Sequence, residues 1–186
     1  MTKRLAICAA LVCAALAPAS AAQWNVDHAK SRLGFSVLWS GQTFEATFKS
    51  WKANIQFDPA DLAHSHAYVT IDLGSEFSAA PDNDDGLKGA EGFAITQFPT
   101  ARFETTSLTA KGGNNYLAMG RLTLHGVSKA ITLPFALVLS GDSAHMTGKT
   151  VVLRTDFGLG KGEWASAATI AHEVAITVDL TATKSH

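Results

Sequence analysis

Past Ala22 the chain alternates apolar and polar residues with a period of two, and it does so in segment after segment. Leu33, Phe35, Val37 and Trp39 fall on one face of such a segment, with Ser36 and Ser40 on the other. Ser40-Gly41-Gln42 reads as a turn, after which Phe44, Ala46 and Phe48 are separated by Glu45 and Thr47. Trp51, Ala53, Ile55 and Phe57 repeat the arrangement until Asp58-Pro59 stops it, and Val69, Ile71 and Leu73 alternate with Thr70 and Asp72. Successive side chains of a β-strand point to opposite faces, so this pattern dictates strands with one face buried and the other in water.

The second half continues in the same way. Ala101, Phe103 and Thr105 alternate with Arg102 and Glu104, Gly112-Gly113-Asn114-Asn115 is a turn cluster, and Leu122-Thr123-Leu124 runs into a second turn at His125-Gly126. Ile131, Leu133, Phe135, Leu137 and Leu139 share a face, interrupted by Pro134, whose missing backbone donor predicts a sheet edge or a bulge. A strand around Lys149 to Arg154 follows, and Val174, Ile176, Val178 and Leu180 alternate with Thr177 and Asp179. About eight strands joined by short turns predict an all-β fold, a sandwich or a barrel. One interval differs: from Pro81 to Phe98 the period is lost, and Leu87, Ala90 and Phe93 fall three apart, as on a short helix. Asp82, Asp84 and Asp85 would sit in its first turn, where the helix dipole favours negative charge, while Gly86, Gly89 and Gly92 weaken it.

Residues 1–22 have the form of a secretory signal. Lys3 and Arg4 precede an uncharged run from Leu5 to Ala17, Pro18 breaks it, and Ala19-Ser20-Ala21-Ala22 offers small residues for cleavage. Thirteen residues fall short of the roughly 20 that a membrane helix needs. The expected product is a single domain over residues 23–186, exported to the periplasm. Both cysteines, Cys8 and Cys13, lie in the leader, and Val12 occupies a place where a lipoprotein signal has a small residue. The domain is therefore expected to fold without disulfides. Without Lys3 and Arg4 the chain has thirteen basic and sixteen acidic residues, a balance that excludes the basic footprint of a nucleic-acid binder.

Catalytic and metal motifs are incomplete. No cysteine survives the leader and no serine sits in a G-x-S-x-G elbow, so no activated nucleophile is expected. His64-Ser65-His66 would place two imidazoles on one strand face, short of the three or four ligands that a zinc site takes. Pro81 to Gly86 resembles a calcium loop, but alignment on Gly86 puts Pro81 and Gly92 where carboxylates are required, leaving a solvated acidic loop that leads into the helix. Gly158-Leu159-Gly160-Lys161-Gly162 has neither phosphate-binding spacing and reads as a turn. The sixteen aromatic residues all follow the leader. A small barrel either fills its interior with such side chains or leaves room for one ligand, and the residues alone leave both open.

Several motifs in order resemble the YceI-like family of bacterial periplasmic proteins. The resemblance starts at Trp24-Asn25-Val26-Asp27-His28-Ala29-Lys30-Ser31 and Leu33-Gly34-Phe35-Ser36-Val37. It continues at Phe57-Asp58-Pro59, Leu87 with Phe93, Phe98-Pro99-Thr100-Ala101-Arg102-Phe103, Gly120 to Lys129 and Arg154 to Gly160. The resemblance implies a lipocalin-like, extended antiparallel eight-stranded β-barrel with one short closing helix. It also implies a polyisoprenoid or isoprenoid quinone held inside, no catalytic residues and no other cofactor. Lining residues are then expected at Phe35, Val37, Phe44, Phe48, Ile55, Ile71, Phe93, Phe98, Phe103, Leu124, Ile131, Leu133, Phe135, Val174 and Ile176. Arg154, Trp164 and Lys161 are candidates for a quinone headgroup at the mouth. The stretch Gly160 to Ser166 is similar to a subgroup that accompanies inner-membrane b-type cytochromes, which makes such a cytochrome a candidate partner of a monomer or homodimer.

Overall fold

The computed structural model describes residues 21–185, and the expected leader lies almost wholly outside them. Eleven strands form one antiparallel sheet: β1 (Ala22–Val26), β2 (Arg32–Trp39), β3 (Gln42–Phe48), β4 (Trp51–Phe57), β5 (His66–Asp72), β6 (Glu76–Phe77), β7 (Thr100–Gly112), β8 (Asn115–Leu124), β9 (Val127–Ser140), β10 (Ser143–Leu153) and β11 (Glu173–Lys184). The helix α1 (Pro81–Lys88) lies between β6 and β7.

Eight of the strands close into a barrel. β1 pairs with β4 through Trp24↔Ile55 and with β11 through Trp24↔Lys184, so the ring runs β1-β4-β5-β7-β8-β9-β10-β11 and returns to β1. Closure leaves the ring without the free edges that would otherwise template aggregation, and the sheet's remaining edge is the two-residue β6. β11 is long enough to serve two neighbours on one side, β1 at Ala182–Lys184 and β2 at Ala175–Asp179. β2, β3 and β6 thus continue the sheet beyond the ring and fold over one end. Turns at Ser40-Gly41 and His125-Gly126 have both central residues at positive φ, the geometry that matches the twist of a two-residue hairpin.

Strand parity places the apolar faces inward, as the alternation dictated. Two clusters result. One gathers Leu33, Phe35, Trp51, Ile71 and Phe93 near α1, and the other gathers Trp24, Phe57, Leu133, Phe135 and Leu137 towards the opposite end. The helix is shorter than the spacing of Leu87, Ala90 and Phe93 implied. It stops at Lys88, and Gly92 packs so closely on the Leu87 backbone that a Cβ there would overlap it. Asp84 also departs from a solvated acidic loop: it is buried and accepts hydrogen bonds from the Ser78 amide and hydroxyl. His64 lies in a short 3-10 turn while β5 begins at His66, so the two imidazoles do not share a strand face. Ser65, buried between them, bonds the backbone of Asp58 and Asp61.

Candidate ligand cavity

Inside the barrel, along both clusters, runs a cavity of about 290 Å³. That is near the lower end of the ~300–1,000 Å³ usual for small-molecule sites and many times the ~10–15 Å³ one water needs. Its wall comes from the inward parity of each strand. β2 contributes Leu33, Phe35, Val37 and Trp39, β9 contributes Ile131, Leu133, Phe135, Leu137 and Leu139, and β11 contributes Val174, Ile176, Val178, Leu180 and Ala182. Polar atoms make up practically none of this surface. A wall without donors or acceptors discriminates by shape and burial alone, which suits a hydrocarbon.

Both ends of the barrel carry packed plugs. At the α1 end, residues 154–170 fold across the opening, held by the Gly160 amide donating to the Glu91 carbonyl over 2.9 Å. Trp164 from this loop meets Trp39 edge to face, ring centroids 5.2 Å apart. At the other end Trp24 donates from Nε1 to the Phe57 carbonyl, Phe57 meets Tyr116 edge to face, and Tyr116 stacks on Phe135.

Arg154 organises the first plug. It is 5% exposed, and its five N–H groups all donate to backbone carbonyls. Nε binds Ala171, Nη1 binds Leu159 and Gly160, and Nη2 binds Trp164 and Ile170. Burial lowers its pKa from the ordinary arginine value. The loop glycines make room for this arrangement: at Gly160, φ is 75°, and a Cβ would overlap the Arg154 Nη1. Arg154 therefore borders the cavity but has no donor left for a headgroup, which corrects that part of its expected role. Lys161 is exposed beside it.

Of the other expected lining residues, Phe35, Val37, Phe48, Ile55, Ile71, Phe93, Phe103, Leu124, Ile131, Leu133, Phe135, Trp164, Val174 and Ile176 all face the cavity. Phe44 and Phe98 do not. Phe44 is on β3, outside the closed ring, and packs on Phe35 and Trp39. Phe98 precedes β7 and covers the His125-Gly126 turn, its ring 4.5 Å from the His125 ring. Leu122 and Leu180 line the wall by the same parity rule and were open to the same reading, and Trp24 lines it from β1. Leu87, Phe157 and Leu159 line it from the helix and the plug, where no period of two points to them. Among the described residues no group of three or more His, Cys, Asp or Glu could hold a metal ion.

The YceI-like domain matches residues 24–182. The chain belongs to the YceI-like family. A relative, the UPF0312 protein of Pseudomonas putida strain F1, is 27% identical over 159 residues, covering 82% of this chain and 77% of its own. The UPF0312 protein of Vibrio vulnificus strain YJ016 is 29% identical over 159 residues, covering 81% of this chain and 84% of its own. Among solved structures, BcnA of Burkholderia cenocepacia superposes with a TM-score of 0.83 at 31% identity, over 86% of this chain and all of BcnA. A polyisoprenoid-binding domain from Saccharophagus degradans, implicated in plant cell wall breakdown, superposes with a TM-score of 0.68 at 17% identity, over 88% of this chain and 99% of that domain. The barrel fold is thus shared with both of these solved structures.

Proposed function

We propose that this chain is a binding protein that holds one long isoprenoid chain, as a polyisoprenoid or the tail of an isoprenoid quinone, inside its barrel. The observation that carries the reading is the cavity wall, continuous along the barrel and almost without polar atoms. A chain of isoprene units has no hydrogen-bonding groups, so burying it costs no unpaired donor or acceptor, and each Å² of apolar surface removed from water contributes about 25 cal/mol before the ordering of the chain is offset. The polyisoprenoid-binding neighbour with the same barrel supports the same ligand class. A fully packed barrel acting only through a protein partner leaves the cavity without a use.

Binding rather than catalysis fits a wall whose surface is almost wholly apolar, although His66 and Glu91 border it. A quinone headgroup would have to sit outside the apolar wall, near exposed Lys161 at the plug. That same exposed stretch, Lys161 to Ser166 apart from half-buried Trp164, is where an inner-membrane b-type cytochrome would approach. The signal-like form of residues 1–22 supports a periplasmic location for such a role. The test is an organic extract of natively purified protein, analysed by mass spectrometry. About one isoprenoid per barrel or per dimer is expected, and consistently lipid-free protein from a quinone-rich source sinks the reading.

A further inference from the structure

We infer that the apolar chain passes in and out of the barrel sideways, through a seam between β9 and β10, rather than through either plugged end. The inference rests on the proposed lipid-binding reading. The β9–β10 ladder runs from Ser140↔Ser143 to Phe135↔Gly148 and stops, although β9 reaches back to Val127 and β10 continues to Leu153. The strands on either side show no such break. β8 stays paired with β9 as far as Leu124↔Val127, and β11 stays paired with β10 as far as Leu153↔Glu173. The β5–β7 ladder also stops early, at Tyr68↔Glu104, but β5 reaches only two residues further, to His66, so among the described strands β9–β10 is the seam in which both strands run on unpaired for five residues or more.

The sequence accounts for where the ladder stops. The Leu137 amide donates towards β8, to the Asn114 carbonyl. Backbone groups alternate sides along a strand, so the donors at even-numbered positions of β9 face β10. Pro134 is the next even position beyond the last pair, and it has no donor to give. Across the seam Gly148 contributes no side chain. Beyond it, one side-chain bond bridges the strands, the Thr150 hydroxyl donating to the Thr132 carbonyl over 2.8 Å.

Cavity-lining residues stand on both banks of this seam, Ile131 on β9 and Thr150 and Val152 on β10. Outside, Val151 and Leu153 are 55% and 42% exposed, and Met119, paired with Thr132, is 50% exposed. The seam therefore has apolar surface within and apolar shoulders without, and it is held by the packing of Leu133 and Phe135 on Gly148 and by one side-chain hydrogen bond. Opening it breaks one side-chain hydrogen bond and parts the apolar contacts of Leu133 and Phe135 with Gly148. Opening the α1 end means parting the five Arg154 bonds, and opening the other means breaking up the Trp24, Phe57, Tyr116 and Phe135 cluster.

The test uses the full chain with Cys8→Ser and Cys13→Ser, plus Thr132→Cys and Val151→Cys on the two outer banks, bridged by a short thiol-reactive cross-linker. The probe is a brominated long-chain alcohol, whose bromines quench the cavity tryptophans, and its release into excess unbrominated alcohol is timed. The cross-linked protein should release the probe many-fold more slowly than the same protein before bridging. Thr150→Val, an independent variant that keeps the shape and removes the hydroxyl, should release it about five-fold faster, the ratio that one hydrogen bond is worth. Release at unchanged rates after bridging and in Thr150→Val overturns the side route. If the unmodified protein takes up no probe at all, the lipid-binding reading itself fails and this route fails with it.

Discussion

Glu76 on β6 and Asp84 of α1 are both buried and lie close enough for their carboxyl groups to interact. Burial first, and the Asp84 charge second, push the Glu76 carboxyl up to about 7, against the opposing influence of Lys88. On the other side β3 presents Phe48, paired with Glu76, while the Lys49 ammonium is turned onto the Phe77 ring. Glu76 is thus a carboxyl that the fold keeps protonated well above the range where the unfolded chain ionises.

The sign of the pH dependence follows. Between the unfolded value of 4.5 and the folded value of about 7, the folded state holds the extra proton, so stability falls as pH rises through that window. The stabilisation is fully present below it and lost above it, by an amount on the order of 3 kcal/mol at most. Glu76→Gln should flatten the slope and raise stability on the alkaline side. Denaturant midpoints at about pH 5 and about pH 8 decide it; a variant with the parent's slope removes Glu76 as the cause.

Arg154→Lys should destabilise the protein by about 2–4 kcal/mol, because one ammonium cannot reach the carbonyls that the guanidinium fork bonds, and those left over stay buried. The loss should be local as well as global. Amide hydrogen exchange at residues 159–171 should accelerate more than in β7 and β8. Gly160→Ala, which collides with Arg154 at a positive φ, should reproduce the effect. Uniform acceleration over the whole barrel would show that Arg154 does not act through the plug.

The exported product should begin at Ala22 or Gln23 and carry no thiol. Ala22 is the first residue of β1 and pairs with Phe57, so a start there keeps the whole strand that closes the ring. Intact-mass measurement on periplasmic material checks this. Retained Cys13 or an added acyl group contradicts it.

The inward faces were legible because a strand has only two sides: once Phe35 or Ile131 is assigned inward, every second residue follows. The antiparallel barrel of eight strands was legible, but the segments read as strands include β2 and β3, which lie beyond the ring, and periodicity alone missed β1 and the two-residue β6, which is too short to show a period. The burial of Glu76 was illegible for that reason. Arg154 was visible as a charge in a resembling motif, yet its five acceptors lie up to seventeen residues away along the chain and meet it only when the plug folds back. Phe98 was misplaced because it precedes its strand, where parity has no meaning. Pro134 marked the end of a ladder, although which neighbour it fails to meet depends on the sheet order.

Phe135 tests whether the barrel interior behaves as core or as cavity. Its ring stacks on Tyr116 at 5.3 Å and 17° and faces the cavity from mid-strand on β9. In a packed core, truncation of a phenylalanine costs about 3–5 kcal/mol, because the lost transfer energy and the new void add. Here the ring already borders open space, so Phe135→Ala in lipid-stripped protein should cost only about 2 kcal/mol, which includes roughly 0.5–1.5 kcal/mol for the lost stack. Lipid affinity should fall, and with it part of the stabilisation that lipid confers. Ala136→Ser, on the opposite face of the same strand, should be nearly silent. Denaturant titrations of stripped and loaded protein separate the cases. A full core-sized loss in stripped protein, with lipid binding unchanged, would mean that Phe135 supports the barrel and takes no part in holding its contents.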